Sequence, residues 1–497
     1  MSNYFFDMIP AEELKKLNFV PTTVQLLEKM KNDYGTKVAI VHKNQPITYN
    51  ELYERIGRRR TFIKSLNLQS GSKIAIFDRN SLDAIELFFA ITTLGYVSIF
   101  LPAQLAGPAL NGSVMKFNVS AMFVRPEFES VCKQAGVTIS QYSTDCTSEQ
   151  YTPAANVMDD MLCSIFFTGG TTGVPKGVML THHNIMRGSH NGIFMPGSVL
   201  SDHRYITFLP FSHVFGVIRG LLSCFYCGAT IYTCEDMRAG VSMIPVVKPT
   251  CLVVVPGLAE ILVNLVKMQG KGFLGGCLQH IICGASNCPP RLIEEFEKLG
   301  LSLLQGYGLT ESANLVSGNA QTITNPTSVG KFYPCQEYKI VDGELWLKGE
   351  NIFKGYYGDP KQTAQAFSDG WFRTGDLVRI DNDGYIYITG RIKNLIILKN
   401  GENVSPESIE EHFYAHAEIR DCLIKEVDKD GDKVIGIEIL PNMELLQGQT
   451  PEQMQNTFRN IVDQVNDILP SYMQVLTFSI RTEDFKRTGS MKVMRNQ

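Results

Sequence analysis

The stretch Leu162 to Asn184, LCSIFFTGGTTGVPKGVMLTHHN, holds the residues around which the chain is organised. An apolar run from Leu162 to Phe167 predicts a buried strand. A turn follows in which Gly169, Gly170 and Gly173 alternate with Thr168, Thr171 and Thr172. Pro175, Lys176 and Gly177 close it, and a second apolar run, Val178 to Leu180, leads out as a short strand. Glycines let successive backbone N–H groups converge on one point, threonine hydroxyls add donors, and Lys176 adds a positive charge. The chemistry offered is anion binding. A Gly/Thr-rich hairpin without a ligand has the same composition. The common P-loop is excluded, because Val174 and Pro175 separate Lys176 from the last glycine of the turn.

Other groups recur further along. Gln305-Gly306-Tyr307-Gly308-Leu309-Thr310-Glu311 offers an aromatic face at Tyr307, a hydroxyl at Thr310 and a carboxylate at Glu311. Carboxylate and phosphate oxygens together suit a hard cation such as Mg²⁺, although a Thr-Glu pair alone marks only a helix start. Gly284-Ala285-Ser286 follows an apolar run and gives either a flat backbone ledge or a tight turn. In GWFRTGDL, Asp376 could accept from two vicinal hydroxyls, or serve only as a turn former. His213 sits among apolar residues in LPFSHVFG, where a satisfied core histidine is the plain alternative. Arg219, six residues on, is either a surface charge or a partner for a polar group on a substrate.

Taken together, these strings resemble the adenylate-forming superfamily of acyl- and aryl-CoA synthetases, luciferases and peptide-synthetase adenylation domains. The resemblance rests on TGGTTGVPKGV, LPFSHVFG, YGLTES, GWFRTGDL and the Lys492 region, in family order over nearly the whole chain. It implies that Thr168, Gly169, Gly170, Thr171, Thr172, Gly173 and Lys176 bind ATP phosphates. Gly284, Ala285, Ser286, Tyr307 and Gly308 would hold adenine, and Asp376 and Arg391 the ribose. Thr310 would meet a phosphate, Glu311 would hold Mg²⁺, and His213 would stand beside the reacting carboxylate. Lys393 matches the family hinge and Lys492 the catalytic lysine. Two departures are visible: Gly169 where the family usually has Ser, and Met491 where a glycine often precedes the lysine. The implied activity joins a carboxylic acid, fatty or otherwise apolar, to CoA through acyl-AMP. A separate carrier protein as acceptor, or an inactive nucleotide binder, are the alternatives.

These residues need a scaffold. A chain of 497 residues exceeds one ordinary core, so two or more domains are expected. Strand and helix signals alternate from Lys37: Lys37 to Val41, a Thr48/Glu51 capping box, Lys73 to Phe77, a helix capped by Ser81 through Leu94, then Tyr96 to Leu101. Tyr142 to Asn156 reads as an exposed loop, and Thr181 as the cap of a helix starting at His182. Strands are expected at Val253 to Pro256, Ile281 to Gly284, Gly343 to Gly349 and Tyr385 to Thr389. Beyond Arg391 the pattern becomes a small α+β unit. It has a Ser405-Pro406 helix start reaching about His416, a hairpin around Asp430-Gly431 and a helix capped by Thr450 and Gln453. The fold class is therefore α/β. A large multi-sheet N-terminal domain (1–391) is followed by a small C-terminal domain (392–497), which the family hinge would make mobile.

Composition narrows the partners. A net charge of −4 without a basic patch argues against nucleic acid. The first residues lack the basic start and long apolar core of a signal peptide, and Leu87 to Pro102 is too short for a membrane span. The 12 cysteines are scattered through apolar runs. Cys224, Cys227 and Cys234 read as buried thiols rather than a metal site, which fits a reducing cytoplasm.

Overall fold

The computed structural model describes residues 17–168, 176–194, 202–286, 288–334, 336–398, 402–429, 432–487 and 493–495. Gly169 to Gly173, Asp430, Gly431, Met491 and Lys492 lie outside them.

Continuous apolar runs become the central strands of two sheets covered on both faces, as parallel sheets require. The larger has seven strands. In spatial order they are Gly355–Tyr356, Lys176–Thr181, Leu162–Thr168, Val97–Phe100, Lys73–Phe77, Val119–Val124 and Gln141–Ser143. Lys73–Phe77 is the run expected, parallel to both neighbours. In the second sheet, Cys251–Val254, His280–Cys283 and Ser302–Leu309 run parallel, and Asn314–Asn319 and Lys331–Phe332 complete it. A third sheet joins Val38–His42 to Thr230–Tyr232, and a fourth is built on Trp371–Ile380. One apolar core running from Leu17 to Ile386 unites these sheets.

The C-terminal unit has its own core, from Ile396 to Val475, with no residue in common with the first. It comprises the hairpin Ile419–Lys429 and Asp432–Pro441, the strand Thr477–Ile480 and the helices Pro406–Phe413 and Pro451–Ile468. The two units meet through polar groups. Ser405 donates to the Thr389 carbonyl at 2.7 Å, and Arg291 to the Arg420 carbonyl at 3.5 Å.

Helix starts follow local chemistry. The capping boxes at Thr48/Glu51, Thr181/Asn184 and Thr450/Gln453 are all formed, and Ser81 caps Leu82–Thr92. Four departures have simple causes. Pro256 opens the helix Pro256–Gln269 instead of ending a strand, because its ring suits a first helical turn. Ser405 precedes Pro406–Phe413 but gives its hydroxyl to Thr389 rather than to the helix. That helix ends before His416. Tyr142 lies in an edge strand, and the loop after it is pinned where Arg59 donates to the carbonyls of Thr144 and Cys146, both at 2.7 Å.

Among the described residues no helix is long and apolar enough to cross a membrane. Among the described residues the cysteines form no disulfide with one another, and Cys224, Cys227 and Cys234 are buried in the core.

His182 and His190 anchor the chain's first described segment to the helix His182–Ile193. Nδ1 of His182 faces the Thr23 hydroxyl at 3.1 Å, and Nε2 of His190 donates to the Leu17 carbonyl at 2.7 Å. Burial pushes both imidazoles down to about 4 from 6.5. The folded values lie below the unfolded ones, so the unfolded chain takes up more protons between pH 6.5 and 4. Stability present above pH 6.5 is therefore lost as pH falls, by up to roughly 3 kcal/mol per histidine at 1.36 kcal/mol per pKa unit. Melting temperatures taken from pH 7 downward are expected to fall, and to fall less steeply for His190→Gln. An equal slope in that variant would remove His190 from the account.

Candidate active site

The last described pair of the hairpin Leu162–Thr168 and Lys176–Thr181 is Thr168 and Lys176, and residues 169–175 lie outside the described residues. Gly177 must be glycine, because a Cβ there would lie 2.2 Å from the Phe117 ring. The Lys176 ammonium stands 5.1 Å from the centre of the Tyr356 ring. The Tyr356 hydroxyl donates to Glu311 Oε1 at 2.9 Å. One aromatic ring thus links the base of the glycine turn to the carboxylate expected to hold a cation. Its sequence, FKGYYGDP, carried no signal of that role.

Glu311 is set by backbone packing. Tyr307 and Gly308 end the strand Ser302–Leu309, and Thr310–Ser312 makes a single tight turn. A Cβ on Gly308 would fall 1.8 Å from the Asn314 carbonyl oxygen, and one on Gly188 would fall 1.9 Å from that of Ala313. The helix that follows the hairpin therefore lies backbone against backbone on the Thr310–Glu311 turn. Ala313 and Asn314 hold positive φ there, at 47° and 89°, a strained pairing that surrounding packing must enforce.

Gly284 to Ser286 follow the neighbouring parallel strand, at the carboxyl edge where open α/β sheets take ligands. A Cβ at Gly284 would reach within 3.0 Å of the Phe215 ring, and Ala285 has φ of 70°. Both features give a flat backbone ledge, which fits a planar base better than a bulky side chain would.

Asp376 is fully buried and faces Arg391 across adjacent strands. Arg391 Nε is 2.5 Å from Oδ1, and the Tyr307 hydroxyl donates to Oδ2 at 2.6 Å. A carboxylate offers about four lone-pair sites, so acceptor capacity remains for sugar hydroxyls. Lys393 follows two residues later. Burial and the adjacent Arg391 hold its ammonium below the usual lysine range, with Lys176 acting in the same sense and Asp376 and Glu311 in the other. Lys393 therefore shares the electrostatic surroundings of the candidate phosphate and cation residues.

His213 lies two residues before the helical segment Phe215–Leu222, which is wound with the wider π pitch. Asn80, which sequence reasoning missed, positions it. Its amide donates to the Thr207 and Leu209 carbonyls at 2.8 Å each and accepts from the Phe211 N–H at 3.0 Å. Gly216 is required, since a Cβ would meet the Pro210 carbonyl oxygen at 2.3 Å. Arg219 is buried rather than a surface charge.

Lys492 lies outside the described residues, but described residues on both sides of it are held in place. Arg487 pairs in a β-bridge with Val493 and contacts Asp421 at 2.5 Å. Arg495 contacts Glu410 at 2.6 Å and Glu407 at 3.2 Å. Burial pushes the Glu410 carboxyl up to about 7, with Arg495 drawing it the other way.

A family profile described as "AMP-binding enzyme" matches residues 27–357, and its C-terminal domain profile matches 393–497. The chain belongs to the AMP-binding enzymes. It is 27% identical over 435 residues to a feruloyl-CoA synthase of an Amycolatopsis species, covering 81% of this chain and 88% of the relative. It is 25% identical over 538 residues to a putative acyl-CoA synthetase, YngI, of Bacillus subtilis, covering 95% and 96%. An anthranilate CoA ligase solved in complex with anthranoyl-AMP shares the fold, with a TM-score of 0.84 at 20% identity over 96% of each chain. The Bacillus subtilis o-succinylbenzoate CoA synthetase, solved with ATP and magnesium ion, gives a TM-score of 0.80 at 21% identity over 95% of this chain and 98% of that one. This AMP-binding enzyme thus has the two-unit α/β architecture expected of it.

Proposed function

We propose that the chain is an AMP-forming acid–thiol ligase that activates a carboxylic acid with ATP and passes the acyl group to CoA. The contact Lys176–Tyr356–Glu311 carries this reading, because it joins the glycine turn to a cation-ready carboxylate within reach of Asp376, Arg391 and Lys393. Relatives named as CoA ligases support it.

A carboxylate is a poor acyl donor, because its leaving group would be oxide. In the first half-reaction a carboxylate oxygen attacks the α-phosphorus of ATP and the bond to pyrophosphate breaks. In the second, the CoA sulfur attacks the acyl carbon, the bond to AMP breaks, and the thiol proton is released. No protein nucleophile is needed. Lys176 and the Gly169–Gly173 turn neutralise and hold phosphate oxygens. Tyr307, Gly284 and Ala285 bound the base, and Asp376 with Arg391 fixes the ribose. Thr310 donates to a phosphate, and Glu311 is the residue that would hold Mg²⁺, whose charge offsets that of the phosphates. His213 stands at the head of the acid pocket. Lys492 stabilises charge growing at the α-phosphate, and the C-terminal unit, 392–497, turns about Lys393 between half-reactions. The free cysteines support a reducing, cytoplasmic setting.

Pyrophosphate release from ATP and Mg²⁺ across a panel of carboxylic acids, with and without CoA, tests the proposal. Acid-dependent release with acyl-CoA formed is expected. Release that CoA does not carry to product would move the acceptor to a carrier protein, and no release with any acid would refute the ligase.

A further inference from the structure

Arg219 is 1% exposed, yet its Nε and Nη2 have no hydrogen-bond acceptor among the described residues. A buried guanidinium without an anion is costly, and native proteins keep such groups where a partner arrives from elsewhere. The ionisable side chains bearing most on it are Tyr205, Cys224, Cys251 and Tyr333, none of them a carboxylate. Burial holds the protons on Tyr205, Cys224 and Cys251, so these three do not supply the missing charge.

Its place in the fold indicates where the anion would come from. Arg219 lies in the helical segment Phe215–Leu222, whose first residue packs its ring against Gly284. Gly216 and Gly220 of the same segment line a crevice with Tyr205, Thr207, Phe208 and Leu209 that is too narrow here to admit a water molecule. Tyr205 belongs both to that crevice and to the surroundings of Arg219. A Cβ at Gly192 would lie 3.1 Å from Arg219 Cδ, so the side chain runs along a helix that leaves it room by lacking one.

We propose that Arg219 binds a second carboxylate, at the far end of the acid being activated, so that the substrate class is a short dicarboxylic acid rather than a plain fatty acid. The proposal rests on the ligase reading and deepens it. The first carboxylate reacts beside His213, the methylene chain opens the crevice beside Gly216 and Gly220, and the second carboxylate takes the fork of Nε and Nη2. Such a pair is bidentate and charge-assisted, which arginine geometry favours over lysine.

The test is acid-dependent pyrophosphate release by the full chain with straight-chain diacids from succinate to suberate, each set against the monocarboxylate of equal length. For at least one length the diacid is expected to exceed its monoacid in kcat/KM by roughly 10²-fold, because a site built for a polar group rejects the analogue lacking it. In Arg219→Met the ratio is expected to collapse or invert, and in Arg219→Lys to fall between the two. Should Arg219→Met fail to fold, the wild-type ratio decides alone. Monoacids turned over as well as every diacid would overturn the inference and leave the ligase standing. Release with no acid of either kind would overturn both.

Discussion

Lys492→Ala is expected to lower acyl-AMP formation by roughly 10²–10³-fold or more, the usual loss for one donor aimed at developing charge. Thioester formation from supplied acyl-AMP should stay within a few-fold of wild type. The asymmetry follows from the chemistry. Charge accumulates at the α-phosphate only in the first half-reaction, whereas in the second AMP is already a good leaving group. The structure adds a reason why the loss should be local. Arg487 and Arg495, on either side of the loop, are fixed to Asp421 and Glu410 through their own side chains, so removing the Lys492 ammonium leaves those anchors in place. Pyrophosphate release and thioester formation, followed separately, give the two numbers. Equal losses in both would take the assigned role away from Lys492.

Asp376→Ala carries the second large effect, in stability as well as in activity. The carboxylate is buried and accepts from both Arg391 and Tyr307. Its removal strands a cation and a hydroxyl. Breaking a buried pair from one side costs about 3–5 kcal/mol, and the lower end applies because the Arg391 side chain is 33% exposed. Thermal unfolding should report that loss directly. Asp376→Asn separates the roles: it keeps the shape and one carbonyl acceptor, so it should melt closer to wild type. Its KM for ATP should still rise by at least about tenfold, since charge-assisted bonds are roughly twice as strong as neutral ones. A folded Asp376→Asn enzyme with an unchanged KM for ATP would place the ribose elsewhere.

How far the sequence could be read depended on whether a feature was local. Capping boxes were legible because three or four residues decide them, as at Thr48 and Glu51. The strand Lys73–Phe77 was legible because a buried parallel strand is an unbroken apolar run. Tyr356 was not, since its contact with Glu311 joins residues 45 apart and a tyrosine in a turn has no pattern of its own. Asn80 was hidden for the same reason, holding carbonyls more than 120 positions away. Gly188 looked like any glycine in a helix, and only the carbonyl of Ala313 shows why nothing larger fits. Arg219 was left open because a charge in an amphipathic stretch is read as surface by default, and burial is a property of the whole fold.

The separateness of the two apolar cores bears on the energetics of turnover. Ser405 on Thr389 and Arg291 on the Arg420 carbonyl are bonds that water can replace nearly one for one. Neither core contributes a residue to the other. A rotation about Lys393 would therefore exchange solvent for solvent-like partners and wet little hydrocarbon. If the smaller unit turns as proposed, its two orientations would lie close in free energy, and differences in affinity of a few kcal/mol for the successive occupants would suffice to drive it.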